Sequence, residues 1–174
     1  MDLRVERVCR QLGRAFERTP FEVRPPSEAL VDPDEPAWRA YWRDAAEQLT
    51  AEGFAIVAPR RVPWTRKAHE LGFHARESGV FERVHPALLE AFHLAGRDIG
   101  RVDVLIGVAA DVGLKDTGTR AVLDVDRYAP GVAEARERAL SEGVRGAPTL
   151  QMGGRLLEGV RNDEEIRAFL DVER

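Results

Sequence analysis

Few side chains in this 174-residue sequence could do covalent chemistry. The single cysteine, Cys9, is one candidate, since a thiolate is a strong nucleophile. Exchange between disulfides normally takes two thiols, one to attack and one to resolve. A lone cysteine also excludes any disulfide within the chain and any cysteine-based zinc site. Cys9 has two readings. On the apolar face Val5, Val8, Cys9, Leu12 it is a small core residue. Exposed beside a helix N-terminus, it would be a catalytic monothiol that forms mixed disulfides with glutathione or a protein thiol. The apolar face favours the first. The four histidines do not suggest a metal set. His69 and His74 would point about 140° apart on one helix. His85 and His93 could share a face, but no partner carboxylate accompanies them. No Ser/His/Asp pattern, phosphate loop or dinucleotide fingerprint is present.

A second pattern lies at Glu142–Val160, "EGVRGAPTLQMGGRLLEGV". "TLQM" and "RLLEGV" are short strand candidates, and Gly153-Gly154 suits a two-residue turn with positive φ. Pro148 lacks an N–H, so it fits the start of a strand, and it is a candidate for a cis X-Pro bond.

The elements that must position these residues follow from periodicity. Val5, Val8, Cys9, Leu12 and Phe16 predict a first helix, stopped by Thr19-Pro20, with "FEVR" after it as a short strand. A proline-rich loop leads to Asp34-Glu35-Pro36, a helix start. From there to Glu142 the chain reads almost wholly as helix. Trp38, Tyr41, Trp42, Ala45 and Leu49 form one stripe ending at Gly53, and "FAIVAP" is a short extended piece. Further helices are predicted from Thr65 to Gly79, Phe81 to Ala95, Asp103 to Val112, Thr119 to Leu123 and Ala129 to Glu142. The aromatic stripe with Trp64 is expected to pack in the core, with a pocket lining as the alternative. A last helix follows the hairpin, with Asp163, Glu164 and Glu165 in its first turn, where they suit its dipole, and Ile166, Phe169 and Leu170 facing inward.

Composition limits the function classes. A net charge of −4, spread without blocks, argues against a nucleic-acid partner and against an anionic membrane surface. No apolar run approaches the length of a bilayer span. The charged start "MDLRVERVCR" does not read as a signal peptide, and the expected location is cytoplasmic.

The order helix, strand, helical block, strand, strand, helix is that of a thioredoxin-like α/β chain with a large all-helical insertion. Three segments resemble the DsbA family of thioredoxin-fold proteins, and most closely its FrnE-like branch. They are "ARESG…H…EAF…GRDI", the "VGL" that follows a helix, and the "GV.G.PT" that leads into the hairpin. The resemblance runs from about Pro63 to the C-terminus. It implies a thioredoxin-like part at residues 1–35 and 143–174 and a helical insertion at 36–142. It implies a cis proline at Pro148, with Ala147, Pro148 and Thr149 as the residues that meet an extended peptide or glutathione. It implies thiol–disulfide exchange at a Cys-x-x-Cys beside that proline.

The chain departs from the family pattern. Aligning the first helix and "FEVR" puts Cys9 near the second cysteine, Glu6 at the position of the first, and Val8 before the resolving thiol. The dithiol is therefore missing, and the first strand and Cys-x-x-Cys segment are truncated or degenerate. Four ways of completing the sheet are open. "DLRV" could form a stub strand, or "FEVR" could pair directly with the hairpin. A second copy could cover the open sheet in a homodimer, or the sequence could begin downstream of its natural first residue. The expected function is that of a degenerate DsbA-like protein, nominally an oxidoreductase, acting as a binding module or weak monothiol enzyme. Its expected partners are a peptide, a thiol protein or glutathione, with no other cofactor and no metal. One alternative is a glutathione-dependent isomerase or transferase of the 2-hydroxychromene-2-carboxylate isomerase and kappa type. That group uses a serine where this chain has Glu6. The other alternative is a dimeric structural protein.

Overall fold

A computed structural model of the chain describes residues 1–114 and 116–171. Among them lie helices α1 (Asp2–Leu12), α2 (Pro36–Ala51), α3 (Arg66–Glu77), α4 (Phe81–His93), α5 (Val102–Asp111), α6 (Asp116–Asp124), α7 (Ala129–Ser141) and α8 (Asp163–Leu170). Two strands, β1 (Thr149–Met152) and β2 (Arg155–Glu158), sit between α7 and α8. The chain divides into two compact units. The sheet unit is Met1–Val23 with the chain from Ala133 onward, and the helical unit is Arg24–Val132. The divisions between these units fall at 23/24 and 132/133. Residues 24–35 go with the helices, where the Trp64 Nε1–H donates to the Glu28 carbonyl at 3.0 Å. The C-terminal part of α7 goes with the sheet, where Arg136 Nε donates to the Glu22 carbonyl at 3.0 Å.

In the sheet unit, α1 packs on α8 through Val5, Val8 and Cys9 against Ile166, Phe169 and Leu170, all buried. Leu150, Met152 and Leu157 of the hairpin close this core from the side. The register Thr149↔Glu158 to Met152↔Arg155 leaves Gly153 and Gly154 as the turn. Their φ values of 57° and 76° are what a two-residue turn of matching twist demands. Asn162 and Glu165 form a capping box at the start of α8, each side chain accepting from the other's backbone N–H at 2.9 Å. Arg7 grips Asp163 in the same turn with two contacts of 2.6 Å, which hold the Asp163 carboxyl below its ordinary pKa.

Three expectations fail here. The first helix ends at Gly13, not at Thr19-Pro20. Gly13 has φ 62°, its N–H reaches the Arg10 carbonyl, and the Arg14 N–H reaches the Cys9 carbonyl, which completes the helix end before proline is met. Phe16 then packs on the same core from the segment that follows. "FEVR" is irregular, and among the described residues only β1 and β2 share a ladder. Its Glu22 is fully buried and its backbone is held by Arg136 instead. "DLRV" is the first turn of α1 and not a stub strand.

In the helical unit, α3 packs against α4, α5 and α6. Leu71, Ala75, Val84, Leu105 and Leu123 are wholly covered at its centre. Glu70 is also fully buried. It accepts from the Tyr128 backbone N–H at 3.1 Å and lies 3.2 Å from Lys67 Nζ, which also bonds Asp126 at 2.6 Å and the Leu123 carbonyl. These contacts tie the turn before α7 to α3. The aromatic stripe of α2 does not pack as one core face. Only Trp42 is buried, against Phe92 and His93 of α4, while Tyr41 is 53% and Trp64 40% exposed.

Candidate functional site

Pro148 lies immediately before β1, and the Ala147–Pro148 peptide is cis. The Gly159 N–H donates to the Pro148 carbonyl at 2.9 Å. Pro148 therefore faces β2, and by the alternation of an antiparallel ladder so do Leu150 and Met152. The backbone groups of Thr149 and Gln151 turn toward the opposite edge of β1. Among the described residues no strand pairs with that edge. Thr149 Oγ1 donates to the Gly146 carbonyl at 2.7 Å, and Arg145 Nη1 donates to the carbonyls of Leu140 and Val144 at 2.7 and 3.1 Å. Side chains thus fix the approach to β1 while its outer backbone stays open. Ala147 is exposed and Thr149 half-buried. Sequence reading found Ala147, Pro148 and Thr149 but not Gln151, which period-two counting onward from Thr149 would have found.

Cys9 does not join this edge at the surface. It lies about two turns inside α1, which begins at Asp2, so it has no helix N-terminus beside it. Its side chain belongs to the core of Val5, Val8, Ile166, Phe169 and Leu170 and is 2% exposed. Burial raises the thiol pKa, and nearby Arg14 offsets only part of that rise. A buried, protonated thiol is a poor nucleophile. Glu6 lies in the second turn of α1 and pairs with Arg10 at 2.7 Å and Arg18 at 3.3 Å.

The histidines are spread through the helical unit, and among the described residues no three metal-ligating side chains converge. His74 meets the Tyr128 ring at 6.3 Å, His85 stacks on Phe81 at 5.5 Å, and His93 sits between Phe92 and Trp42 at 5.0 and 5.7 Å. His69 is pushed down to about 4, chiefly by burial and then by the charges of His85 and Arg66. This yields a pH prediction with a definite sign. The folded imidazole refuses a proton that the unfolded chain accepts near its ordinary 6.5, so stability is complete above that value and falls between 6.5 and about 4. The loss is on the order of 3 kcal/mol at most, at about 1.4 kcal/mol per unit. Urea melts of wild type and His69→Gln at pH 7 and pH 5 should show the flatter dependence in the variant. Equal slopes would remove His69 as the cause.

The DSBA-like thioredoxin domain family model matches residues 35–171. The uncharacterized protein YwbO of Bacillus subtilis (strain 168) is 30% identical over 163 residues, spanning 89% of this chain and 80% of that protein. The crystal structure of a probable DsbA oxidoreductase from Streptomyces coelicolor superposes with a TM-score of 0.84 at 21% identity, over 97% of this chain and 81% of that one. A putative protein disulfide isomerase from Nitrosomonas europaea gives 0.69 at 17% identity, over 97% and 87%. At those identities the two structures speak for the thioredoxin-like fold, which the hairpin, α1 and α8 of the sheet unit share. The match over residues 35–171, reaching from the first helix of the helical unit through the hairpin to α8, places this chain in the DSBA-like thioredoxin domain family.

Proposed function

We propose that this DsbA-like protein binds an extended peptide along the outer edge of β1 and does not exchange disulfides through Cys9. The observation that carries the reading is the burial of Cys9 inside α1, about two turns from the helix start. The thiol has neither the exposure nor the dipole that activates such a residue. The supporting observation is the open ladder at Thr149 and Gln151, whose N–H and C=O groups can pair with an added strand.

The test has two arms. Reduction of insulin by dithiothreitol should run no faster with the protein than without it. A rate increase that Cys9→Ser abolishes would overturn the noncatalytic half of the reading. Carboxymethylated insulin B chain, labelled for fluorescence anisotropy, should bind wild type and lose binding in Gln151→Pro. Proline there removes an outward N–H without touching the β1–β2 ladder. Equal binding by the variant, or millimolar glutathione competing the peptide away from a different surface, would sink the edge assignment.

A further inference from the structure

The helical unit holds a cavity that the β1 edge does not use. It lies along one face of α2 and has a volume of about 270 Å³. Trp38, Trp42 and Ala46, one turn apart, form one wall, and Ile56, Ala58 and Pro59 form the other. The Val57 N–H donates to the His93 carbonyl at 2.8 Å, which pins the second wall to the end of α4. Arg39 and Arg43 also line the cavity, so apolar walls meet two cations. Arg39 is paired with Asp34, whereas Arg43 reaches the Asp44 carboxylate only at 3.4 Å. Trp42 itself is 6% exposed, and its indole N–H is buried without an acceptor among the described residues, so the face it gives the cavity is apolar.

An apolar slot with aromatic walls and a loosely held guanidinium selects a flat ligand with a negatively charged group. We propose that this cavity binds a small aromatic carboxylate, with its ring between Trp38, Trp42 and the Ile56–Pro59 wall and its carboxylate on the Arg43 guanidinium at the rim. The volume, slightly under the roughly 300–1,000 Å³ of common small-molecule sites, holds one or two fused rings and not a nucleotide. Ring burial supplies affinity and the carboxylate supplies selection.

The test is isothermal calorimetry on the full chain with 2-naphthoate and, as its uncharged counterpart, 2-naphthylmethanol. Naphthoate should bind saturably below about 1 mM, with the alcohol about tenfold weaker. Arg43→Gln and Trp38→Ala should each weaken naphthoate about tenfold, the first by removing the charge and the second by removing a ring wall. Arg43 lies on the exposed side of α2, so its variant decides the matter even if Trp38→Ala loses stability. No saturable binding at about 5 mM, equal binding of the alcohol, or unchanged binding by Arg43→Gln would each overturn the site.

Discussion

Replacing Cys9 by aspartate is expected to cost the sheet unit about 4 kcal/mol at neutral pH, enough to unfold much of it. The site surrounds a carboxylate with Val5, Val8, Ile166, Phe169 and Leu170, and Arg14 offsets only part of the effect of that burial. The group would stay protonated there, and each unit by which its pKa must rise costs about 1.4 kcal/mol. Cys9→Ala, which removes only a small apolar volume, is expected to cost about 1 kcal/mol. Urea melts followed by circular dichroism separate the two, and the thiol itself gives a second readout. In the native protein it should react with an aromatic disulfide reagent far more slowly than in denaturant. If Cys9→Asp melts with the wild type, Cys9 faces solvent, and the argument against a thiol chemistry for it is lost.

Leu71→Ala should destabilise the helical unit by about 3 kcal/mol. Leu71 is wholly covered and sits on α3, the helix that meets α4, α5 and α6, so the hole it leaves is lined by three other helices that cannot all close inward. Trp38, Trp42 and Trp64 all lie in that unit, so tryptophan fluorescence reports its melting selectively. Leu89→Ala, on the outer face of α4 and 36% exposed, should cost well under 1 kcal/mol by the same measurement. Equal losses from the two variants would mean that α3 is not the centre of this core.

The aromatic stripe of α2 shows where pattern reading stops. Trp38, Tyr41 and Trp42 are one apolar face by spacing, yet they differ in cover because burial depends on what lies opposite. Phe92 and His93 of α4 lie against Trp42, and Tyr41 remains at the surface beside them. The strand expected at "FEVR" failed for a related reason. Alternation shows that a segment can be a strand, but a ladder needs a second strand, and among the described residues only β1 and β2 pair.

By itself the sequence determined the elements whose causes are local. The 3.6-residue period placed α2 to α8 to within a few residues but overran the end of α1, the Gly153-Gly154 pair placed the hairpin turn, and Pro148 marked where β1 begins. It also determined that one thiol is present and that a dithiol mechanism within the chain is excluded. The apolar face already favoured Cys9 as core, and its 2% exposure bears that out; the tertiary structure alone decided that no strand pairs with the outer edge of β1 among the described residues, and that Trp38 and Trp42 wall a cavity with the Ile56–Pro59 segment. Burial and hydrogen-bond satisfaction are properties of pairs of segments far apart in the chain, and a one-dimensional pattern does not hold them.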